Sequence, residues 1–100
     1  MRLTQFQIAT INKFARKHFG HDTTVYLFGS RTDDHKKGGD IDLFINQANE
    51  ATLTLDAKIR FLAELKAEIG DRKIDVVFDN DNTRQKKNFY RSIIQQKVEL

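Results

Sequence analysis

The amino-acid sequence predicts an α+β fold, with a short mixed β-sheet of three or more strands flanked by helices. Three observations carry this reading. The run TVYLF (24–28) is dominated by β-branched and aromatic residues. DIDLFI (40–45) opens with strict alternation of carboxylate and aliphatic side chains, the two-residue period of a strand, and KIDVVF (73–78) is a second apolar run carrying one carboxylate. Between and around them, apolar residues recur at helical spacing.

The first helix is expected over 4–18. Thr4 and Gln7 have capping-box spacing, Ile8, Ile11, Phe14 and Ala15 supply the apolar stripe, and Gly20 is a C-terminal stop. The strand 24–28 follows and ends at Gly29. Residues 31–39 (RTDDHKKGG) read as a polar loop or a short helical turn. In the strand 40–45, Asp40 and Asp42 share one face, and Ile41 and Leu43 take the other. After a polar connection at 46–50, a second helix is expected over 54–69, with Leu55, Ile59, Leu62 and Ile69 on one stripe and Gly70 as its stop. In the strand 73–78, Asp75 shares a face with Val77. Residues 80–82 are turn chemistry, and a last helix runs from Thr83 towards Val98 with Phe89, Ile93 and Ile94 as its apolar contacts. A helix joins the second and third strands, which suits parallel pairing through a right-handed crossover. Phe6, Phe14, Phe28, Phe44, Phe61, Phe78 and Phe89 are expected in the core.

Length and composition fit one domain covering 1–100, large enough to bury roughly two-thirds of its unfolded surface. Hydrophobic residues make up 39% and charged residues 31%, which suits a globular chain rather than a disordered one. The absence of cysteine excludes disulfides and thiolate zinc sites. No stretch has the continuous apolar run of a signal peptide or a membrane span, so the cytoplasm is the expected location and no membrane association is expected. Seventeen Lys plus Arg against 14 Asp plus Glu give a net charge of +3. A solvated surface explains that charge as well as a polyanionic partner does, and a nucleic-acid partner is not expected because no clustered basic stripe is present. Arg84, Lys86, Lys87 and Arg91 are read as a solvated helix face. His18 and His21 are read as residues at a helix end rather than metal ligands.

The chemistry lies in the aspartates. Asp40 and Asp42, at i and i+2 on a strand, point the same way roughly 6–7 Å apart along the chain. Two carboxylates on one face beside an apolar run repel each other and resist desolvation. A divalent cation removes that conflict, and Mg²⁺ prefers oxygen ligands supplied by one or two carboxylates plus substrate phosphates. If the strand bearing Asp75 lies beside the first, three carboxylates meet, a set able to hold two metal ions for in-line nucleotidyl transfer. Gly29 and Ser30, at the end of the first strand, supply a close-approach point and donors for phosphate, with Arg31, Lys36 and Lys37 as nearby cations. Taken singly, Asp40 suits a turn and Asp42 a solvent-facing strand position; the combination with Gly29, Ser30 and Asp75 favours a site.

The stretch GSRTDDHKKGGDIDLFI (29–45) resembles the signature of the DNA polymerase β nucleotidyltransferase superfamily, and chain length with the Gly-Ser-Arg opening makes it most similar to the minimal nucleotidyltransferases (MNT proteins). The resemblance runs from Thr24 to Phe78. It implies a polymerase β-like nucleotidyltransferase fold, phosphate binding by Gly29 and Ser30 with Arg31 as a common family arginine, and metal ligation and catalysis by Asp40, Asp42 and Asp75. Asp75 would also help activate the attacking hydroxyl. It further implies Mg²⁺ as cofactor, ATP as substrate and a HEPN-domain protein as partner, the MNT chain acting as antitoxin and in some cases transferring AMP to a tyrosine of the toxin. Gly39 departs from the pattern, where the family often has Ser. Two alternatives remain at this level: a binding-only module that neutralises a HEPN partner, and a nucleic-acid-binding module.

Overall fold

The computed structural model describes residues 3–29 and 40–100. Its elements follow from local chemistry. Helix α1 (Gln5–Phe19) starts at a complete capping box: the Gln7 N–H donates to Thr4 Oγ1 at 3.1 Å, and the Thr4 N–H donates to Gln7 Oε1 at 2.9 Å. Strand β1 (Thr24–Phe28) and strand β2 (Ile41–Asn46) pair antiparallel, with Phe28 opposite Asp42. A 3-10 turn (Glu50–Thr52) leads to helix α2 (Leu55–Ile69), capped by Thr54. Strand β3 (Ile74–Phe78) lies parallel to β2, as the intervening helix allows, with Asp42 opposite Asp75.

The last segment differs from the single helix expected. It divides into α3 (Asp81–Gln85), capped by Asn80, and α4 (Lys87–Gln96), with Lys86 at the break, and it ends in strand β4 (Val98–Glu99). The Lys86 φ/ψ of −84°/76° is not helical, which separates the two helices. Strand β4 pairs antiparallel with β1, and the Leu100 N–H donates to Val25 O at 2.9 Å. Among the described residues the strands form one four-stranded sheet, ordered β3-β2-β1-β4.

Side-chain alternation assigns the two faces of this sheet. Val25, Leu27, Ile41, Leu43, Ile45, Ile74 and Val76 pack with Ile11, Phe14, Phe61 and Leu65 of α1 and α2. The opposite face carries Phe28 and Phe44, covered by Ile93 of α4 with Tyr26, Val77 and Tyr90 at its margin. The core reading therefore needs correction at some positions. Phe6 is 60% exposed and Phe89 42%, and Leu55 and Ile59 are 69% and 58% exposed. The buried side of α2 is centred on Phe61 and Leu65, whereas Phe19 is fully buried against Phe61 and Phe78. Apolar spacing gives the period of a helix, but the phase of the buried stripe is set by where the helix meets the sheet.

One buried polar side chain organises the turn between α1 and β1. Gln47, just beyond β2, aims its amide nitrogen at Phe19 O (3.0 Å), Asp22 Oδ1 (3.0 Å) and Thr23 Oγ1 (2.9 Å), while its carbonyl accepts from the Asn49 N–H at 3.2 Å. Replacing it strands a buried carbonyl and a buried hydroxyl. Gln47→Leu is expected to lower unfolding free energy by about 2 kcal/mol, read from urea titration. An unchanged midpoint would show that these bonds do not stabilise the fold.

Candidate active site

Antiparallel pairing brings the end of β1 to the start of β2, and parallel pairing brings the start of β3 to the same place. Gly29, Asp42 and Asp75 meet there. Asp42 and Asp75 both project on the sheet face that α4 covers further along the strands, where Phe44 and Val77 continue the same rows. Asp42 is half-buried and Asp75 exposed.

Gly29 has φ +74°, a left-handed conformation that glycine adopts without steric cost. A Cβ at this position would lie 2.5 Å from Asp42 Oδ2. The glycine is therefore required twice, for its backbone angle and for the space the carboxylate occupies. Ser30 and Arg31, with His35, Lys36, Lys37 and Gly39, lie outside the described residues.

The electrostatics follow from this packing. The Asp42 carboxyl is raised above the ordinary carboxylate range, first by burial, then by the negative charges of Asp75 and Asp40, and further because its protonated form can hydrogen-bond to Asp75; Lys73 opposes the shift. Asp40, immediately before β2 rather than within it as the alternation suggested, is exposed and acts on Asp42 through its charge. Among the described residues, no three acidic or imidazole side chains form a ready-made metal cage. Two facing carboxylates nonetheless fit a Mg²⁺ ion, which takes one or two protein carboxylates and fills the remaining positions with water and substrate phosphate. The raised proton affinity of Asp42 reflects burial first and the neighbouring carboxylates second.

An open cleft of about 700 Å³ adjoins the pair, lined by Asp42 and Asp75, Phe28 and Phe89, and Lys58 and Leu62 of α2, with β3 residues 74–77 forming its floor. The Phe28 and Phe89 rings meet edge to face at 6.4 Å. The apolar lining gave no local sequence signal, since it combines residues from four elements. At the opposite end of the strands, Arg84 joins Asp79 (2.9 Å) and Glu50 (3.0 Å), and Asn46 donates to Asp79 at 2.9 Å. Arg84 is thus an ion-paired residue rather than part of a solvated face. Burial, followed by the charge of Asp79, raises the Tyr90 hydroxyl above its ordinary value. His18 contacts Glu64 of α2 at 3.0 Å.

No helix among the described residues is long and apolar enough to cross a membrane. A family model described as "Polymerase beta, Nucleotidyltransferase" matches residues 9–100, and no curated protein matches the chain.

Two outcomes test this geometry in metal-free protein. The folded state holds the Asp42 proton to higher pH than the unfolded chain does. The carboxyl therefore favours folding fully below the ordinary carboxylate range, and that contribution is lost as pH rises through the raised value. Asp42→Asn should accordingly raise the melting temperature at neutral pH, with the gain vanishing in acid. In Gly29→Ala, the positive φ alone costs about 1 kcal/mol, and the new methyl should displace Asp42, read as a shift of the Asp42 and Asp75 amide resonances.

Proposed function

The chain belongs to the polymerase β nucleotidyltransferase family, and on that premise we propose that it transfers AMP from ATP to a hydroxyl of a partner protein. The observation that carries this reading is the facing pair Asp42 and Asp75 beside Gly29, where a glycine is required by both conformation and space. Gly29 would let the triphosphate approach the backbone closely, with Ser30 and Arg31, next in sequence, as phosphate partners. Asp40, Asp42 and Asp75 would hold Mg²⁺, two ions with substrate bound, which stabilises charge developing on the phosphates and makes the attacking hydroxyl more acidic. Asp75, the more exposed of the facing pair, would accept the hydroxyl proton. The acceptor oxygen bonds to the α-phosphorus, the bond from that phosphorus to the β-phosphate's bridging oxygen breaks, and pyrophosphate leaves with the electron pair. Phe28 and Phe89 would supply apolar contact surface beside the site.

We place the acceptor on a HEPN-domain protein, as a tyrosine, with the chain acting as its cytoplasmic antitoxin. The likeness of GSRTDDHKKGGDIDLFI to the minimal nucleotidyltransferases supports that assignment.

Incubation with α-labelled ATP, Mg²⁺ and a HEPN-domain partner should move label onto the partner. Asp42→Ala and Asp75→Ala should each reduce transfer at least about 100-fold while the complex still forms. Neutralisation surviving both substitutions unchanged would instead assign the antitoxin effect to binding alone.

A further inference from the structure

The outer edge of β3 has a construction that the transfer chemistry does not use. The Ile41 N–H donates to Lys73 O at 3.0 Å, and the Asp79 N–H donates to Ile45 O at 2.8 Å. In a parallel ladder the bonds to one neighbour fall on alternate residues of the strand. Residues 73, 75, 77 and 79 therefore face β2, and the backbone N–H and C=O groups of Ile74, Val76 and Phe78 point away from the sheet. Among the described residues no strand covers them.

These groups form the floor of a trough. The 700 Å³ cleft beside Asp42 and Asp75 is lined by the consecutive residues 74–77, and a second cleft of about 330 Å³ continues along 76–78. Consecutive residues line a space only when the strand presents its edge, since one face would show every second residue. Lys58 of α2 and Phe89 of α4 border both clefts, and Lys86 borders the second. Neither lysine has a carboxylate partner among the described residues, in contrast to Lys17, Arg60 and Arg84. An uncovered apolar strand without proline is a pairing hazard, which proteins block or use.

We propose that the β3 edge docks an extended, acidic polypeptide segment, which adds to the sheet as an extra strand and carries a side-chain hydroxyl to the Asp42–Asp75 end of the trough. This rests on the transfer reading above and specifies the form in which the acceptor is presented. Main-chain hydrogen bonds to Ile74, Val76 and Phe78 supply the register. Charge supplies the direction: carboxylates on the segment lie over Lys58 and Lys86, and the neutral hydroxyl residue lies at the end where Asp42 and Asp75 would repel an acidic one. A second copy of this chain suits the trough less well, because its own β3 is apolar apart from Asp75.

The test uses ¹⁵N-labelled protein and a random glutamate–tyrosine copolymer as probe. Amide exchange should slow at least tenfold at Ile74, Val76 and Phe78 on adding the copolymer, with Asp75 and Val77, already bonded to β2, little changed. A lysine–tyrosine copolymer should give no such protection. Val76→Pro removes one outward N–H without breaking a bond to β2 and should weaken copolymer binding at least tenfold. The double charge reversal Lys58→Glu with Lys86→Glu, which leaves the strand intact, should do the same. Unchanged binding by either folded variant, or protection confined to other residues, would overturn the proposal. So would protection of these amides in the protein alone that grows with its concentration, since a second copy would then occupy the edge. Protection at the three amides without AMP transfer to the bound copolymer supports the docking and counts against the transfer reading.

Discussion

The parallel register of β2 against β3 is the constraint on which the candidate site depends. It sets Asp42 directly opposite Asp75 on one face of the sheet. Two carboxylates free to move would separate, and a backbone ladder prevents it. The energy of that unfavourable approach comes from the packing on the other side, where Ile41, Leu43, Ile45, Ile74 and Val76 are buried together against α1 and α2. A slip of one residue in either strand would exchange the faces, burying the acids and exposing the aliphatic row. The same alternation that fills the core thus fixes the charge pair.

The ends and faces of the sheet divide the remaining work. At the Asp42 end, Gly29 leaves room for a carboxylate that any larger residue would displace. At the other end, the equivalent space is filled by a satisfied network, in which Asp79 is neutralised by Arg84 and hydrogen-bonded by Asn46. Asp79 directly follows β3, the strand that bears Asp75, and the two sites differ in one respect: Asp79 is ion-paired with Arg84, whereas among the described residues Asp42 and Asp75 have no ion-pair partner. An ion-paired carboxylate is a structural feature, whereas two facing carboxylates beside an open cleft suit a divalent cation that shares its remaining positions with water and substrate phosphate.

The helices show where local pattern stops being informative. Caps were readable because they involve residues three apart, as at Thr4 and Gln7. Burial was less so. Leu55 and Ile59 satisfy helical spacing as well as Phe61 and Leu65 do, and only the second pair faces the sheet. Phe6 and Phe89 are as apolar as Phe14 and Phe44 but lie at the margins. The last segment had a continuous helical pattern, and its break at Lys86 lets α4 cross the second face while β4 returns to β1. A two-residue strand has no period of its own to detect.

What the sequence determined by itself was everything written at short range: the β-branched and alternating strands, the capped helix starts, the glycine that ends β1, and the presence of Asp40, Asp42 and Asp75 within or beside strands. Strand period alone placed Asp42 on the face opposite Ile41 and Leu43. Only the tertiary structure decided that Asp42 and Asp75 face each other, that Asp40 stands outside the strand and contributes charge, that Gly29 packs on a carboxylate, and that β3 is an edge. The contacts among these join residues from different elements. Periodicity fixes which way a side chain points along its own element, but its neighbours across the sheet are set by pairing order and register, which depend on how the whole core packs.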